Sequence, residues 1–339
     1  MYTLGIETSC DETACAVLKN GNRILSNVIS SSLDRHRVFG GVVPEIAARH
    51  CLEAIDVVYQ EALKKARVKP CDLDLISVTQ GPGLIGSIFV GVSFAKALAF
   101  ALDCPLIAVH HLEAHLEANF IGRLKPSSFI GLIVSGGHTT LVRYQKWRYQ
   151  VLGETVDDAI GEAYDKVARL LDLGYPGGPV IDRFARRGNP KAFEFTKPKQ
   201  EGRFDFSFSG IKTAVFHLQQ RGAVSLRERR TLENFCASFQ ETVMRWIVDK
   251  TLLACREEGI QCIVVGGGVS ANSRLRALLS EEAGLRGIKV FLPPLELTTD
   301  NAVMVARLGY SLFRKGMRSD FQVAADPSLK IGGNGHGTS

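Results

Sequence analysis

The sequence predicts an α/β protein that contains two copies of one supersecondary unit. In residues 2–18 an apolar strand, a polar turn and a second apolar strand follow one another, and the same arrangement recurs in residues 129–144. After each hairpin, short apolar runs alternate with segments of helical periodicity. A unit that recurs at the start of each half indicates an internal duplication. The 339 residues are enough for two domains of ordinary size.

Composition and charge narrow the class of protein. Hydrophobic residues make up 45% of the chain and charged residues 22%, as in ordinary globular proteins. The cysteines form no C-x-x-C pair, and no basic segment followed by an apolar one stands at the N-terminus, so we expect a reduced, cytoplasmic protein. The most apolar segment, 84–102, is interrupted by a lysine and has no uncharged run of the roughly 18–20 residues that cross a membrane. The net charge of +6 permits a nucleic-acid partner without requiring one.

The first hairpin carries polar residues in its turn. Residues 7–13 gather carboxylates and hydroxyls where two strands meet, and Asp11 and Glu12 are among them. Three elements follow: a helix over 45–65, a strand over 73–78 and a small-residue helix over 84–102. The glycine-rich turn at 80–87 does not end in the Gly-Lys-Ser/Thr of a Walker A loop, and the small residues after it favour close packing of the helix against a sheet.

A histidine run follows the next apolar strand, 105–109. If the residues after it form a helix, His111 and His115 share one face, and both imidazoles can reach one metal ion. Such a pair supplies half of a tetrahedral site. A metallohydrolase with the common helical motif also needs a glutamate directly after the first histidine, and that position is Leu112. From the pair alone, a metal site and two half-exposed histidines without a metal are equally good interpretations.

The second hairpin has a turn suited to a phosphate. Its residues 135–139 read Ser-Gly-Gly-His-Thr, and the two glycines let consecutive backbone N–H groups approach an anion. Two facing hairpins can then hold one nucleotide between them. A helix is predicted over 157–171, with acidic residues at its start, and a turn over 174–179. Asp165 beside that turn is suited to the hydroxyls of a ribose.

A third phosphate-type turn is the clearest of the three. A short buried strand over 261–265 leads into a glycine triplet at 266–268 and then into a helix over 273–283. Strand, glycine triplet and helix form a nucleotide-binding arrangement. Asn272, at the start of the helix, can bond a ribose or a base.

The last candidate site residue stands before the final predicted helix. A strand is predicted over 289–292 and a helix over 302–313, with Asp300 just ahead of the helix. A helix N-terminus stabilises a carboxylate there, and a metal ligand can project from it into a cleft. Composition gives no account of the unusual segment 205–213.

The motifs together carry a resemblance to known proteins. Hairpin, hairpin and glycine triplet, in this order, resemble the phosphate and adenosine motifs of the actin/Hsp70/sugar-kinase (ASKHA) superfamily. More narrowly, the chain is similar to the bacterial TsaD family, the tRNA N6-adenosine threonylcarbamoyltransferases. The motifs that carry the similarity lie at 5–13, 40–45, 111–115, 134–139, 205–213, 266–272 and 299–301. One departure is Cys51, where the family would have a histidine.

The resemblance implies a duplicated ASKHA fold of two lobes with a nucleotide and metal cleft between them. The N-terminal lobe would comprise 1–128 plus 310–339, and the C-terminal lobe 129–309. The resemblance also implies one divalent metal ion per chain, with iron preferred over zinc. Its protein ligands would be His111, His115 and Asp300.

A substrate site and a reaction follow from the same resemblance. The family transfers the threonylcarbamoyl group from threonylcarbamoyl-AMP to N6 of the adenosine 3′ of the anticodon (t6A formation) in tRNAs that read codons beginning with A. Asp11 is the candidate for assisting removal of the proton from the incoming amine, and Glu12 is the alternative. The implied substrate-binding residues are Val134, Ser135, Gly136, Gly137, His138, Asp165, Gly178, Asp182 and Asn272, of which the last four would hold the adenosine part.

The family also implies partners, and other functions stay open. Besides tRNA, the expected partners are a degenerate ASKHA paralogue similar to TsaB and a small P-loop ATPase similar to TsaE, with no membrane involved. ATP is a further candidate ligand of the cleft. The motifs would also suit an ASKHA kinase or ATPase, a metallopeptidase or a nucleotide-dependent assembly scaffold. Leu112 argues against the peptidase, and histidine ligands argue against the magnesium site of a kinase, because Mg²⁺ prefers oxygen.

Overall fold

A computed structural model describes residues 1–195, 202–210 and 228–332. The strands are β1 Tyr2–Glu7, β2 Glu12–Lys19, β3 Arg23–Ser31, β4 Leu75–Gly81, β5 Leu106–His110, β6 Ser128–Val134, β7 Thr139–Gln145, β8 Arg148–Glu154, β9 Cys262–Gly266 and β10 Lys289–Phe291. The helices are α1 Leu33–Arg37, α2 Pro44–Ala66, α3 Ile85–Ala101, α4 His111–Glu117, α5 Ile160–Leu170, α6 Gly177–Ala185, α7 Arg229–Glu258, α8 Ser273–Gly284 and α9 Ala302–Phe313. Residues 211–213, the end of the 205–213 motif, lie outside the described residues.

The two sheets have the same topology, which confirms the internal duplication. The first has the strand order β3-β2-β1-β4-β5 and the second β10-β9-β6-β7-β8. In each sheet three consecutive antiparallel strands form a meander, a later strand pairs in parallel with its first strand, and a last strand pairs in parallel with that added strand. Parallel strands need crossover connections, which the helices between them supply. The fold is therefore the duplicated α/β fold that the sequence predicts.

The chain divides by its internal contacts into two units. The first unit contains Met1–Lys125 and the described residues from Thr299 onward, and the second contains Pro126–Thr298. Helix α9 belongs to the first unit, where it packs against β1, β2 and β4. The first unit is therefore discontinuous in sequence. The lobe boundaries at 128 and 309 stay a prediction.

Close approach of helices to the first sheet depends on small residues. A Cβ on Gly5 of β1 would lie 2.7 Å from the backbone nitrogen of Ala306 in α9, and nearer still to the carbonyl oxygen of Ala302. A Cβ on Gly91 of α3 would lie 3.1 Å from the Cβ of Thr8. Gly91, Ala95 and Ala99 are buried, so the packing role predicted for the small residues of α3 is confirmed. Among the described helices, none combines the length and the apolar character that crossing a membrane requires.

An aromatic cluster accounts for the segment 205–210 of the second unit. Phe206 and Phe208 are fully buried, and both rings meet the edge of Trp246 from α7. Phe206 also forms an isolated parallel bridge with Thr155, directly after β8. The segment thus extends the second sheet and contributes to the core of this unit. Its alternation of buried phenylalanines with exposed polar residues is that of a strand edge.

Helix α5 begins later than the sequence suggests, so the predicted start at Asp157 was wrong. The helix begins at Ile160, and Asp157 lies in the loop before it. The Asp157 carboxylate accepts hydrogen bonds from the Ser207 hydroxyl at 2.5 Å and from the Phe208 backbone N–H at 2.7 Å. Asp158 also precedes the helix and pairs with Lys166, which in turn pairs with Glu162. Asp157 and Asp158 thus lie before the helix and bind residues of other segments, so they do not belong to an acidic face of α5.

Replacing Asp157 with asparagine is expected to destabilise the protein by about 0.5–1 kcal/mol at pH 7, because one charge-assisted acceptor of the 207–209 segment is lost. Burial raises the pKa of Asp157, but the hydrogen bonds from Ser207, Phe208 and Ser209 outweigh it and lower the pKa below its usual value. The stabilisation is therefore present above the unfolded pKa of about 3.9 and is lost as the pH falls through the lower folded pKa. Urea unfolding of both proteins should show a gap at pH 7 that closes below about pH 4.

The matched control for this prediction is Asp172→Asn. Asp172 is an exposed residue of a turn with φ of 56°, a conformation that asparagine also accepts. Its substitution should leave the urea midpoint unchanged at both pH values. A gap between wild type and Asp157→Asn that stays constant with pH would show that the carboxylate does not act through its charge.

Candidate metal and nucleotide sites

His111, His115 and Asp300 come together within the first unit. One ligand atom from each of the three residues lies within 4.8 Å of the other two. His115 Nε2 is 3.0 Å from Asp300 Oδ1, and His111 Nε2 is 3.6 Å from the same oxygen. The two histidines stand on α4, which begins at His111 directly after β5, as predicted. The cluster can therefore present two imidazoles and one carboxylate to a single ion.

Helix capping fixes the two segments that carry these ligands. His110 is the N-cap of α4, and its Nδ1 accepts the backbone N–H of Leu112. Its Nε2 then carries the proton and donates to the carbonyl oxygen of Leu329 at 3.1 Å. Asn301 is the N-cap of α9, and its side chain accepts the N–H of Met304. The caps hold the histidine helix and the Asp300 segment in place.

The polar atoms of the cluster fit a metal ion. His115 is only 1% exposed; its Nε2 approaches Asp300 Oδ1 without forming a hydrogen bond, and its Nδ1 has no hydrogen-bond partner among the described residues. A buried ring nitrogen without a hydrogen bond is unfavourable, and a bound cation would supply a partner for it. Two imidazole nitrogens and a carboxylate oxygen are suited to zinc or iron, whereas magnesium prefers oxygen alone. The chemistry of the donor set thus agrees with a transition-metal site.

A buried carboxylate lies behind His111. Glu7, the last residue of β1, is fully buried, and its Oε2 is 3.0 Å from His111 Nδ1. Burial alone would raise the pKa of Glu7, but the charge and the hydrogen bond of His111 lower it below its usual value. Burial likewise lowers the pKa of His111, but the charges of Glu7 and Asp300 outweigh this effect and raise the pKa to about 9. Sequence reasoning missed this role of Glu7, although a carboxylate that ends an apolar strand was a signal for it.

The two candidate catalytic carboxylates lie where the β1–β2 turn ends: Asp11 is the last residue of the turn and Glu12 is the first residue of β2. Burial, followed by the charges of Asp300 and Asp11, raises the pKa of Glu12 well above its usual value. Burial also raises the pKa of the neighbouring Cys10 thiol, with Asp11 adding to the effect. A raised pKa favours the protonated form of Glu12, which makes this group less suited to accept a proton.

A chain of hydrogen bonds holds the backbone of this turn. The backbone N–H of Val43 donates to His36 Nδ1 at 3.2 Å, so Nε2 of His36 carries the proton and donates to the Ser32 hydroxyl at 2.9 Å. The Ser32 hydroxyl donates to the carbonyl oxygen of Asp11 at 2.9 Å. The segment 40–45, singled out in the sequence, is thereby connected to the turn. Sequence reasoning did not find His36 or Ser32.

Cys51 has a packing role in the first unit. It is 1% exposed on α2, and its thiol lies 3.9 Å from the carbonyl oxygen of Ser87 on α3. Burial raises the pKa of this thiol to about 11. The departure from the family at this position thus falls on a helix–helix contact.

Within the second unit, the phosphate-type turn between β6 and β7 is closed by its own atoms. The Ser135 N–H donates to the His138 carbonyl at 2.8 Å, and the His138 N–H donates to the Ser135 hydroxyl at 3.1 Å. Among the described residues, nothing lies within 4 Å of a Cβ built on Gly136 or Gly137. A ligand can therefore approach the backbone of this turn closely.

The glycine triplet packs against the end of β6. Gly267 has a φ of +93°, and a Cβ there would lie 2.8 Å from the carbonyl carbon of Val134. A Cβ on Gly161, in the first turn of α5, would lie 2.8 Å from the Cα of Gly136. The β6–β7 turn, the triplet and the start of α5 thus meet at one end of the second sheet. They are three of the segments that the sequence associates with a nucleotide.

The turn predicted over 174–179 is in part a helix start, so that prediction was wrong at its end. Helix α6 begins at Gly177, and Gly178 lies in its first turn. Asp165 accepts the Gly177 N–H at 2.7 Å, and burial raises the pKa of this carboxyl group. Asp182, also on α6, accepts the Ser273 hydroxyl at 2.6 Å. Asp165 and Asp182 each bind a residue of another segment inside the second unit.

Gln240 links the remaining predicted adenosine residues. Its amide nitrogen donates to Asp182 Oδ1 at 3.0 Å, and its amide oxygen accepts from Asn272 Nδ2 at 2.8 Å. Asn272 caps α8, because its oxygen accepts the N–H groups of Arg274 and Leu275 at 3.0 Å each. The bond of Asn272 to a ribose or a base stays a prediction. Gln240 was not predicted from the sequence. The pattern that could have identified it is a polar residue at a helix position where apolar residues are expected.

Comparison with known proteins was made for the sequence and for the fold. A family profile described as tRNA N6-adenosine threonylcarbamoyltransferase, TsaD, matches residues 23–307. A protein of that name from Clostridioides difficile is 50% identical, with 98% of each chain covered. The Bacillus subtilis protein of the same name is 47% identical, with 98% of this chain and 96% of that protein covered.

The fold is similar to solved structures of much lower sequence identity. The HypF protein from T. kodakarensis superposes with a TM-score of 0.62 at 16% identity, covering 93% of this chain and 48% of that one. Component A of the (R)-2-hydroxyglutaryl-CoA dehydratase from Acidaminococcus fermentans has a TM-score of 0.53 at 18% identity and covers 92% and 98% of the two chains. At these identities the similarity concerns the fold alone.

Proposed function

The chain belongs to the TsaD family of tRNA N6-adenosine threonylcarbamoyltransferases, and we propose that it transfers a threonylcarbamoyl group from threonylcarbamoyl-AMP to N6 of the adenosine 3′ of the anticodon in tRNAs reading ANN codons. The enzyme is a transferase that forms t6A in tRNA. The observation that carries the proposal is the near-complete coverage by relatives of that one name, at 47–50% identity. Its duplicated α/β fold is that of the ASKHA superfamily.

The bonds that form and break in the transfer determine which groups the active site must contain. N6 of the adenosine attacks the carbamoyl carbonyl carbon, a C–N bond forms, the C–O bond to the AMP phosphate breaks and AMP leaves. The attacking amine loses one proton in the process. The protein therefore has to hold the AMP part, accept or relay that proton and stabilise charge on the carbonyl oxygen.

We assign His111, His115 and Asp300 as the protein ligands of one divalent metal, with iron preferred over zinc. A bound ion of this kind supplies Lewis-acid polarisation of a carbonyl oxygen. The buried contact of His115 with Asp300 and the His/His/Asp donor set support this assignment. Asp11 is the residue we assign to help remove the proton from the incoming amine. The raised pKa of Glu12 makes Glu12 the weaker candidate in the metal-free protein.

We assign the AMP part of the donor to the second unit. The turn formed by Val134, Ser135, Gly136, Gly137 and His138 would take the phosphate and carbamoyl end. Its glycine N–H groups would be the donors, because those of Ser135 and His138 bond within the turn. Asp165, Gly178, Asp182 and Asn272 would hold the adenosine. The hydrogen bonds among Asp182, Gln240 and Asn272 support one rigid site. ATP, as a ligand with the same adenosine, could enter the same site.

Replacing Asp182 with asparagine is expected to weaken AMP binding about tenfold, because a hydrogen bond to a charged group is lost, worth about 1.5 kcal/mol. Calorimetric titration of the full chain with AMP measures this effect. The metal content should stay unchanged, since Asp182 lies in the second unit and the metal cluster in the first. Asp103→Asn, at an exposed turn of the first unit, is the matched control and should bind AMP as wild type does. An unaltered AMP affinity in Asp182→Asn would remove this residue from the site.

We further propose that a degenerate ASKHA paralogue similar to TsaB and a P-loop ATPase similar to TsaE assist the reaction in the cytoplasm. Exposed apolar side chains on α2 and α3 support a protein partner at the first unit. Leu52 is 68% exposed and Phe89 is 63% exposed. Because soluble proteins rarely leave large apolar patches uncovered, these side chains are suited to contact another protein.

The transfer reaction itself is the test of the proposed function. The purified chain, with its partner proteins supplied, is incubated with threonylcarbamoyl-AMP and unmodified tRNA, and the nucleosides are analysed after digestion. The expected product is N6-threonylcarbamoyladenosine together with AMP. ATP hydrolysis or peptide cleavage without this product would favour a kinase-like or peptidase function. The absence of any product would contradict the transferase proposal.

A further inference from the structure

We propose that Glu7 is a positioning residue of the metal site, which holds His111 as the Nδ1–H tautomer and leaves Nε2 for the metal. This inference rests on the proposed metal site. The two ring nitrogens of a histidine are distinct, and the hydrogen bond made by one decides which nitrogen is left for a ligand. Carboxylates behind metal-bound histidines commonly fix the ring in this way.

The contacts of Glu7 come from three segments, and they place its carboxylate as a hydrogen-bond acceptor. Its Oε1 accepts the Ser9 N–H at 2.6 Å, and its Oε2 accepts the Thr79 hydroxyl at 2.7 Å. The same Oε2 lies 3.0 Å from His111 Nδ1. Donors from the β1–β2 turn, from β4 and from α4 thus converge on one carboxylate. An ionised carboxylate can accept hydrogen bonds from all three of these groups at the same time.

Orientation of the ring follows from these bonds. With Nδ1 directed at Glu7, the opposite nitrogen of His111 is directed at Asp300, 3.6 Å from Oδ1. The Ser9 hydroxyl lies 3.1 Å from His111 Nδ1 and 3.5 Å from His111 Nε2, so it contacts the ring without selecting one nitrogen. Nδ1 of His115, in contrast, has no hydrogen-bond partner among the described residues. The two ligands of α4 therefore differ: the ring of His111 is pre-oriented and that of His115 is not.

Packing in the core does not by itself explain why a glutamate stands at position 7. A carboxylate with no solvent exposure is costly unless each oxygen is satisfied, and a small polar or apolar residue would fill a strand end at lower cost. The convergence of three donors on Glu7 is what makes its charge tolerable, and the third of these donors is a ligand of the cluster. A pre-oriented His111 lowers the cost of ordering when a metal binds.

The test uses the full chain loaded with Zn²⁺, and Glu7→Gln as the variant. Glutamine has nearly the same shape but carries no charge. We expect the variant to bind Zn²⁺ about 10–100-fold more weakly in a competition titration with a chromophoric chelator. The Co²⁺-loaded variant should also show an altered visible spectrum, because the orientation of one ligand is less fixed. Glu233→Gln, another buried carboxylate but one located in the second unit, should match wild type in both measurements.

Nitrogen NMR of ¹⁵N-histidine-labelled wild type identifies the tautomer directly. We expect His111 to carry its proton on Nδ1 in the Zn²⁺-loaded protein. A His111 bound to Zn²⁺ through Nδ1 would overturn the inference, and so would a Glu7→Gln variant with wild-type affinity and spectrum. If Glu7→Gln fails to fold, the tautomer in wild type decides the matter. A wild-type chain that binds neither Zn²⁺ nor Co²⁺ would instead contradict the proposed metal site.

Discussion

Replacing His115 with alanine is expected to abolish stable metal binding and, with it, transfer of the threonylcarbamoyl group. His115 Nε2 lies 3.0 Å from Asp300 Oδ1, and the ring has no other polar partner among the described residues. The polar contacts of this imidazole are therefore with the cluster alone. Loss of a ligand should exceed the roughly 100-fold upper effect of losing an outer partner. We therefore expect a decrease of more than about 100-fold in both metal affinity and kcat/KM. Metal analysis after dialysis, together with the nucleoside assay, measures the two effects.

A second histidine provides the control for this variant. His50 is partly buried on α2, and its Nε2 lies 3.0 Å from the Ser30 hydroxyl, away from the cluster. His50→Gln can keep a hydrogen bond to Ser30 and should retain full metal content. Thermal unfolding of His115→Ala with and without added Zn²⁺ separates loss of the metal from loss of the fold. Full metal content in a folded His115→Ala protein would remove His115 from the ligand set.

Replacing Gly5 with valine should have the largest effect on stability. Even a single added carbon would lie 2.7 Å from the nitrogen of Ala306 and 2.9 Å from its Cβ. Backbone atoms of a helix cannot move aside locally, so α9 has to shift away from the sheet. Overpacking of this kind costs about 1–3 kcal/mol, and we expect about 3 kcal/mol in the free energy of unfolding. Urea unfolding at pH 7 measures the change.

Gly5→Val should also weaken metal binding at the candidate cluster. Asp300 lies two positions before α9 begins, so a shift of the helix moves this ligand relative to α4. We expect weaker Zn²⁺ binding in the folded fraction of Gly5→Val. Gly284→Val is the matched control, because a Cβ at Gly284 meets nothing within 4 Å in the described part of the chain, and its effect should stay within about 0.5 kcal/mol. Equal unfolding midpoints for Gly5→Val and wild type would contradict the packing argument.

Much of the fold was predictable because its signals are local. The helix predicted over 302–313 has the observed bounds, and both hairpins and the glycine triplet occur where their patterns indicated. The strand order of the sheets was not predictable from periodicity, since pairing of β1 with β4 joins segments about 70 positions apart. The internal repeat nevertheless indicated that both halves would share one topology.

Two features that the sequence did not predict correctly share one physical cause. The helix start at Asp157 was misplaced because an acidic residue before an apolar run is typical of a helix N-terminus, whereas this carboxylate binds Phe208 and Ser207, far along the chain. The role of Glu7 was missed for the same reason, since its partners Thr79 and His111 come from other segments. Tertiary hydrogen bonds of this kind leave no periodic signal in a sequence.

Sequence spacing predicted two of the three candidate metal ligands and could not predict the third. The four-residue interval between His111 and His115 predicted a shared helix face, and α4 provides it. Spacing could not supply the third residue, because Asp300 lies far along the chain and reaches the cluster through the packing of α9. The family resemblance supplied that residue instead. The substrate residues of the second unit came from the same source and stay proposals.

The discontinuity of the first unit has a consequence for synthesis on the ribosome. Helix α9 covers Gly5, yet the whole of Pro126–Thr298 is translated before it. Domains usually fold in the order in which they emerge, but here the second unit is complete before the first can close. The face of the N-terminal sheet that α9 covers therefore stays without this helix until late in elongation. Since Asp300 is one of the proposed ligands, the proposed metal site is complete only after Pro126–Thr298 has been synthesised.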